Sequence, residues 1–285
     1  MEKFTKKDCG EPIDLRELKS HLLDMLTAFD AFCTKHQLRY YLSGGTLLGA
    51  IRHKGFIPWD DDIDVNMPRP DCEKLQALTH GKIGPYLLFP PNGKSIYPGN
   101  HWKLYDTSIV IENSMKRSSR KCIYHPAFMD IFPIDGLPES DAQTIRHYRK
   151  MKPYKKMYGC LEGSWMHGKT IASRLFHLVG RPVAWVFGRQ FWVNKIQMIA
   201  KEIPFDESDY IGVMMTNIHF EEERVIKKDY MPQVDVTFEN RVFKGPQDYD
   251  TYLRQLYGDD YMDMPPMEKR ISHHGYTLYK KKTQN

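Results

Sequence analysis

The chain has 285 residues, of which 41% are hydrophobic, and this is enough to bury one substantial core. Its 41 lysines and arginines exceed its 36 aspartates and glutamates, which favours anionic partners such as nucleotides or anionic lipids, but the excess is too small to predict nucleic-acid binding. Five scattered cysteines without a Cys-x-x-Cys pair exclude a disulfide framework, and no apolar run of about 18 residues could span a bilayer. We therefore expect a cytoplasmic protein, with contact to the inner face of the membrane left open.

Periodic apolar residues predict the first helix, at residues 14–36, where one apolar stripe recurs every three or four positions. Residues 39–43 are short and aromatic and predict a strand, which the pair Gly44 and Gly45 interrupts. Residues 46–52 then predict a helix capped near Thr46. Residues 62–67 alternate polar with apolar side chains and predict a second strand. The order is strand, glycine turn, helix, strand.

Two more strands are predicted at residues 108–112 and 127–132, before the pattern changes. Residues 140–200 form long helical stretches, which we expect to be broken at Pro153, Gly163, Gly168 and Pro182. Short elements return after residue 203. We therefore divide the chain into an α/β core at 1–139, a helical insertion at 140–202 and a C-terminal part at 203–285 that completes the core.

The second strand carries a group of aspartates. Because side chains alternate across a strand, Asp62 and Asp64 project to one face and Asp60 joins them where the chain is already extended. Crowded carboxylates are costly unless a cation neutralises them, and hard oxygen ligands select Mg²⁺ or Mn²⁺. The plain alternative for an Asp-x-Asp pair is an acidic turn or a helix cap.

The glycine turn before these aspartates predicts an anion site. A helix that opens at Thr46 presents unpaired backbone N–H groups, and Gly44 and Gly45 leave room for a phosphate. Phosphate at the turn and metal at the carboxylates would together hold a nucleotide. This layout resembles the polymerase-β-type nucleotidyltransferase superfamily, which implies an α/β (α+β) fold with a mixed sheet core flanked by helices and an additional helical region.

Longer motifs resemble a narrower family, LicD. Residues 41–64, from Tyr-Leu-Ser-Gly-Gly to Asp-Asp-Asp-Ile-Asp, look like its signature, and residues 103–107, 128–138 and 256–261 are similar to further family segments. The resemblance implies a phosphotransferase of the kind that takes phosphocholine from CDP-choline, or ribitol phosphate from CDP-ribitol. It also implies that Asp62 and Asp64 are metal ligands and that Asp130 is a third carboxylate from a neighbouring strand.

The chemistry suggests further roles. A carboxylate near the acceptor hydroxyl could take its proton, and we give Asp130 this second role. Cations near the donor would complement the metal, so Arg52 and Lys103 are candidate phosphate contacts, with Asp60 and the glycine turn as the other donor-binding candidates. For Arg52 and Lys103, a solvated surface charge is an equal alternative.

These observations predict a Mg²⁺- or Mn²⁺-dependent transfer of phosphocholine from a CDP-linked alcohol to a glycan hydroxyl, with release of CMP. The expected acceptor is a teichoic acid or a lipopolysaccharide, either free or lipid-linked. Two rivals stay open: a nucleotidyltransferase that transfers a nucleoside monophosphate, and a noncatalytic protein that binds polyanions through its basic helical region.

The helical region allows two interpretations. The basic residues at 146–156 could hold a polyanionic acceptor or a membrane surface, or they could form a solvated face. The aromatic residues Trp185, Phe187, Phe191 and Trp192 could form an interfacial helix or a base-stacking surface, but core packing of a helical subdomain is the expected role.

Overall fold

The computed structural model describes residues 3–91, 99–113, 123–162, 171–215, 223–271 and 275–282, leaving aside the side chains of residues 162 and 171–174. Within these ranges helices and strands share the chain, and one sheet contains both antiparallel and parallel pairs. The predicted α/β fold with a mixed sheet is thereby confirmed. The division into three parts stays a prediction.

The helices, in chain order, are α1 (Leu15–Lys35), α2 (Gly44–His53), α3 (Arg69–Thr79), α4 (Asp141–Glu162), α5 (Ile171–Ala200), α6 (Lys227–Tyr230) and α7 (Tyr249–Tyr257). The strands are β1 (Cys9–Ile13), β2 (Tyr41–Leu42), β3 (Asp64–Pro68), β4 (Lys82–Ile83), β5 (Tyr86–Phe89), β6 (Trp102–Asn113), β7 (Ile123–Leu137), β8 (Tyr210–Val213), β9 (Val225–Ile226), β10 (Gln233–Phe238), β11 (Arg241–Pro246) and β12 (Tyr276–Lys281).

Strand β7 lies at the centre of the sheet. The main strand order is β1-β12-β6-β7-β3-β2, while β5 also pairs with β6, β8 pairs with β7, and β10 and β11 form a separate hairpin. Because β7 is long, its first part pairs with β6, its middle pairs in parallel with β3, and its end pairs with β8. Three stretches of chain that are distant in sequence therefore meet along one strand.

Helix α1 forms as its apolar stripe predicts. The Asp14 carboxylate accepts a hydrogen bond from the Glu17 N–H at 2.8 Å, which caps the first turn. Leu18, Leu22 and Phe29 are fully buried, and α1 contacts β6 and β7. The helix therefore supplies much of the main core by covering one face of the sheet.

The start of α2 differs from the prediction. The helix begins at Gly44, with Ser43 as the N-cap residue, so the expected cap at Thr46 is wrong. Thr46 is instead buried in the first turn, and its hydroxyl accepts a hydrogen bond from the Asp64 N–H at 2.9 Å. This bond ties α2 to the beginning of β3.

Helices α4 and α5 contact each other along their length and build a second apolar cluster. Pro153 and Pro182 lie inside these helices and do not end them, so the expected breaks there are wrong; packing between the helices outweighs the lost backbone hydrogen bond. The break falls at Gly188, which has φ +74°. The expected breaks at Gly163 and Gly168 lie outside the described residues.

The aromatic residues of α5 divide at this break. Trp192 is buried and Phe191 packs against the second cluster, as expected. Core packing is wrong for Trp185, which is 79% exposed. Phe187 is about half exposed, and one side of its ring packs against Phe191 and Trp192, at 4.8 and 5.6 Å between ring centroids. None of the helices in the described part of the chain combines the length and hydropathy needed to cross a bilayer.

A buried ion pair joins β7 of the sheet to α3, and a further hydrogen bond extends it to α5. Arg69 of α3 donates two hydrogen bonds to the Asp135 carboxylate of β7, at 2.6 and 2.7 Å. A third bond runs from Arg69 to Gln197 of α5. Both members of the ion pair are almost fully buried, so each depends on the other for charge compensation.

Candidate active site

Three charged side chains lie side by side across the sheet. Asp64 of β3 is in register with Asp130 of β7, and Asp130 is in register with Lys103 of β6. The Asp130 N–H donates to the Ile63 carbonyl at 2.9 Å, which fixes this alignment. The structure therefore confirms that Asp130 lies beside Asp64, as expected. We call Lys103, Asp130 and Asp64 the charged row.

Asp130 is the compensated member of the row. One of its carboxylate oxygens accepts hydrogen bonds from the Lys103 ammonium and from His101 Nε2, the latter at 2.9 Å. Burial alone would raise the pKa of Asp130, but the charges and hydrogen bonds of Lys103 and His101 lower it well below its usual range. Asp130 is therefore held ionised.

Asp64 lies where negative charge accumulates. Burial raises the pKa of Asp64 well above its usual range, and the carboxylates of Asp62, Asp130 and Asp60 raise it further. Lys103 lowers it, but by less than these effects raise it. In the absence of a cation, the ionised form of Asp64 is therefore disfavoured.

The residues before β3 add to this concentration of charge. The carboxylate oxygens of Asp60, Asp61 and Asp62 lie within 4.8 Å of one another. The strand begins only at Asp64, two residues later than expected, so these three aspartates belong to the preceding loop. Lys19 of α1 holds this loop by donating to the Ile57 and Pro58 carbonyls, both at 2.9 Å.

The two glycines of α2 lie directly against the carboxylates. Gly44 has φ +50°, and a β-carbon there would lie 3.6 Å from Asp64 Oδ2. A β-carbon on Gly45 would lie 2.8 Å from Asp60 Oδ2, closer than real contacts allow. A helix that starts here presents unpaired N–H groups beside a cluster of acids. The structure thus brings Gly44, Gly45 and Asp60 together with the charged row.

Arg52 is placed differently. It lies in the last turn of α2, and its Nη1 donates to the carbonyls of Tyr261 and Asp263 at 2.8 and 2.9 Å. Burial lowers its pKa. In the structure Arg52 therefore holds the segment after α7 against α2, and its role as a phosphate contact stays a prediction, as does that of Lys103.

Besides Asp61, three residues at the site were not singled out from the sequence: His101, Tyr257 and Tyr276. Burial raises the pKa of Tyr257, and Asp64 and Asp60 raise it further, while its hydroxyl lies close to Gly44. Burial also raises the pKa of Tyr276, followed by the charges of Asp61, Asp62 and Asp130. Only Tyr257 had a sequence signal, since it lies in the 256–261 motif. His101 and Tyr276 could be placed only by knowing which strands pair.

The donor set at this site fits a hard divalent cation. Carboxylate oxygens are the ligands that Mg²⁺ and Mn²⁺ prefer, and Asp60, Asp61 and Asp62 already gather three of them. The raised pKa of Asp64 also fits a cation site. Asp64 is buried and lies beside other carboxylates, so its ionised form lacks a compensating charge. Among the candidate ligands, Asp130 already has a cationic neighbour in Lys103 and a hydrogen bond from His101.

Comparisons with known proteins agree with these observations. Residues 37–171 match the family described as LicD/FKTN/FKRP, nucleotidyltransferase domain. The lipopolysaccharide cholinephosphotransferase LicD of Haemophilus influenzae is 30% identical over 276 residues, which cover 94% of this chain and 98% of that protein.

A second group of relatives matches a shorter segment. The ribitol 5-phosphate transferases FKRP of mouse and human are each 38% identical over 72 residues, which cover 24% of this chain and 13% of those proteins. The near full-length match to the Haemophilus influenzae protein decides the family. The chain belongs to the LicD family and is a phosphotransferase enzyme, as its motifs indicated.

Proposed function

We propose that the protein transfers phosphocholine from CDP-choline to a hydroxyl of a cell-surface glycan, a lipopolysaccharide or a teichoic acid, and releases CMP. The observation that carries this proposal is the charged row, which lies against the start of α2. The name of the Haemophilus influenzae relative supports the choice of phosphocholine and lipopolysaccharide. The acceptor is free or lipid-linked.

The start of α2 binds the diphosphate of the donor. Its first N–H groups have no partners within the helix, and the missing side chains of Gly44 and Gly45 let a phosphate approach them. Thr46 keeps the helix aligned with Asp64 through its hydroxyl. Lys103 lies one strand beyond Asp130 and offers its ammonium group to a phosphate oxygen.

We further propose that Mg²⁺ or Mn²⁺ is held by Asp62, Asp64 and Asp130, with Asp60 on the donor side. A bound cation would neutralise the charge that spreads over the diphosphate as the bond to phosphorus breaks. Lys103 and His101 keep Asp130 ionised and fix its orientation, which suits a ligand. Its second role, accepting the proton of the acceptor hydroxyl, stays a prediction.

The test is product analysis with a panel of CDP-alcohols, Mg²⁺ and a glycan acceptor. We expect CMP release with CDP-choline and choline phosphate on the acceptor, and loss of both when EDTA removes the metal. If a nucleotide label stays on the acceptor, the protein is instead a nucleotidyltransferase. If it binds polyanions in a salt-dependent way without turnover, the noncatalytic alternative is correct. Unchanged turnover in EDTA would refute the metal assignment.

A further inference from the structure

The part of α5 that precedes Gly188 exposes large apolar side chains. Trp185, Val186 and Val179 are 79%, 77% and 69% exposed, and Leu175, Leu178 and Phe187 are each more than half exposed. We call these six residues the apolar ridge. Scattered exposed apolar residues are ordinary, but a contiguous group of this size marks an interaction surface.

The opposite side of the same helix carries small residues. Gly180 and Ala184 are buried, and a β-carbon on Gly180 would lie 3.3 Å from the Cys160 sulfur of α4. Small residues let α5 lie close to α4, so the large side chains are left on the outer side. This arrangement is the reverse of a helix that packs its apolar face into a core.

Positive charge is concentrated around the ridge. Residues 141–200 contain 11 lysines and arginines against 2 acidic residues, whereas the rest of the chain contains 30 against 34. Arg149, Lys150 and Lys152 of α4 are exposed, and the Lys156 ammonium lies 5.8 Å from the ring centroid of Phe176, next to the ridge. The same region is thus both the most basic and the most exposed apolar part of the described chain.

We propose that the apolar ridge and the bases of α4 bind the surface of an anionic lipid bilayer. Apolar side chains flanked by lysine and arginine, with a tryptophan among them, are the composition of helices that lie in the membrane interface. The ridge ends at Gly188, and beyond this break Trp192, Val193 and Ile196 are buried in the protein core. The part of α5 before Gly188 is therefore the part that lies on the bilayer. A second copy of the chain is a poorer partner for the ridge than a bilayer, because two strongly basic faces would repel each other.

The helix that carries the ridge also contacts the active site. Beyond the break at Gly188, Gln197 in the last turns of α5 donates to the Asn100 carbonyl at 2.7 Å, and the adjacent His101 bonds to Asp130. The ridge is therefore connected to the charged row through α5. This geometry suits an acceptor that is anchored in the membrane.

Vesicle binding by the full-length protein tests the proposal without donor or acceptor, so its outcome is independent of the proposed reaction. We expect sedimentation with vesicles of phosphatidylcholine mixed with phosphatidylglycerol, much weaker sedimentation with phosphatidylcholine alone, and release by high salt. The double variant Trp185→Ser, Val186→Ser should bind at least about tenfold more weakly. The control Val242→Ser, Met267→Ser removes two apolar side chains elsewhere that are 57% and 73% exposed, and it should bind like the unmodified protein.

Tryptophan fluorescence gives a second readout. Burial of Trp185 in lipid should shift the emission to shorter wavelengths, and this shift should be largely absent in Trp185→Phe although that variant still binds. Equal vesicle binding by the unmodified protein and the ridge variant would overturn the proposal. It would also be overturned by a dimer in lipid-free solution that the ridge variant dissociates, since the ridge would then be covered by a second copy.

Discussion

The charged row and the α4–α5 pair depart from ordinary side-chain placement in opposite directions. At the row, Asp64 is crowded by other carboxylates, including those of the loop at residues 60–62, whereas on α5 large apolar side chains point away from the core. Each arrangement is unfavourable for the isolated chain, and each becomes favourable once a suitable partner binds. The comparison teaches that the places where the usual burial rule fails are the places where, as we propose, this enzyme meets a cation and a membrane.

The largest expected effect on stability is at the buried ion pair between Arg69 and Asp135. Replacing Arg69 with Met should lower the free energy of unfolding by about 3–5 kcal/mol, because Asp135 would be left buried without its partner. Urea unfolding followed by circular dichroism measures this loss. The double variant Arg69→Met, Asp135→Leu should recover much of it, since no unpaired charge remains. A loss below about 1 kcal/mol in the single variant would show that Asp135 does not depend on Arg69 for charge compensation.

Removing charge from the row should affect activity and leave the fold intact. Asp64→Asn should reduce CMP release at least about a hundredfold, because it removes a ligand charge. Thermal unfolding without metal should be unchanged or shifted upward, since burial and neighbouring carboxylates already disfavour the ionised form of Asp64. The control Asp235→Asn alters an exposed acid paired with Lys244 and should leave activity intact. An unfolded Asp64→Asn protein would mean that this acid is structural.

The glycine turn is tested by comparing two glycines. Gly45→Val should weaken donor affinity by about tenfold or more, because the new side chain meets Asp60 and occupies the space where a phosphate would approach. Gly159→Ala, in the last turn of α4 with no atom within 4 Å of the added carbon, should bind donor normally. Isothermal titration with CDP-choline measures both. Lower stability with unchanged affinity in Gly45→Val would mean that the glycines serve only the turn.

The smallest effect is expected at Tyr257. Tyr257→Phe keeps the ring and removes a hydroxyl that lies near Gly44 and Asp64, so activity should fall by only about two- to tenfold, the value of one ordinary hydrogen bond. Tyr249→Phe, at the opposite end of α7, is the matched control. Steady-state kinetics would separate the two, and equal activity of Tyr257→Phe and the unmodified protein would remove this hydroxyl from the site.

Local patterns predicted some parts of this structure well. The stripe of α1 and the alternation around Asp64 depend on residues a few positions apart, so they are visible in the sequence. The placement of Asp130 beside Asp64 came from the family resemblance, since no local pattern links residues so far apart. The same limitation explains why His101 and Tyr276 were missed: they reach the site only through the pairing of β6 with β7 and β12.

The wrong predictions for α4 and α5 have a related cause. Pro153 and Pro182 each oppose helix formation locally, but contacts between α4 and α5 keep both helices intact at these positions. The pattern of α5 shows apolar residues on most sides, and such a pattern does not reveal which side meets α4. The buried positions Gly180 and Ala184 decide this, and they leave Trp185 outside.

The hydrogen bond from the Asp130 N–H to the Ile63 carbonyl joins the site to the middle of the sheet. Amide protons in such positions exchange with solvent only when neighbouring strands separate, which is a much rarer event than fraying of a loop. The carboxylates on β3 and β7 thus cannot drift apart while the sheet persists, and the site is lost only through cooperative opening. The exchange rate of the Asp130 amide therefore reports how often the charged row is transiently dismantled in the native protein.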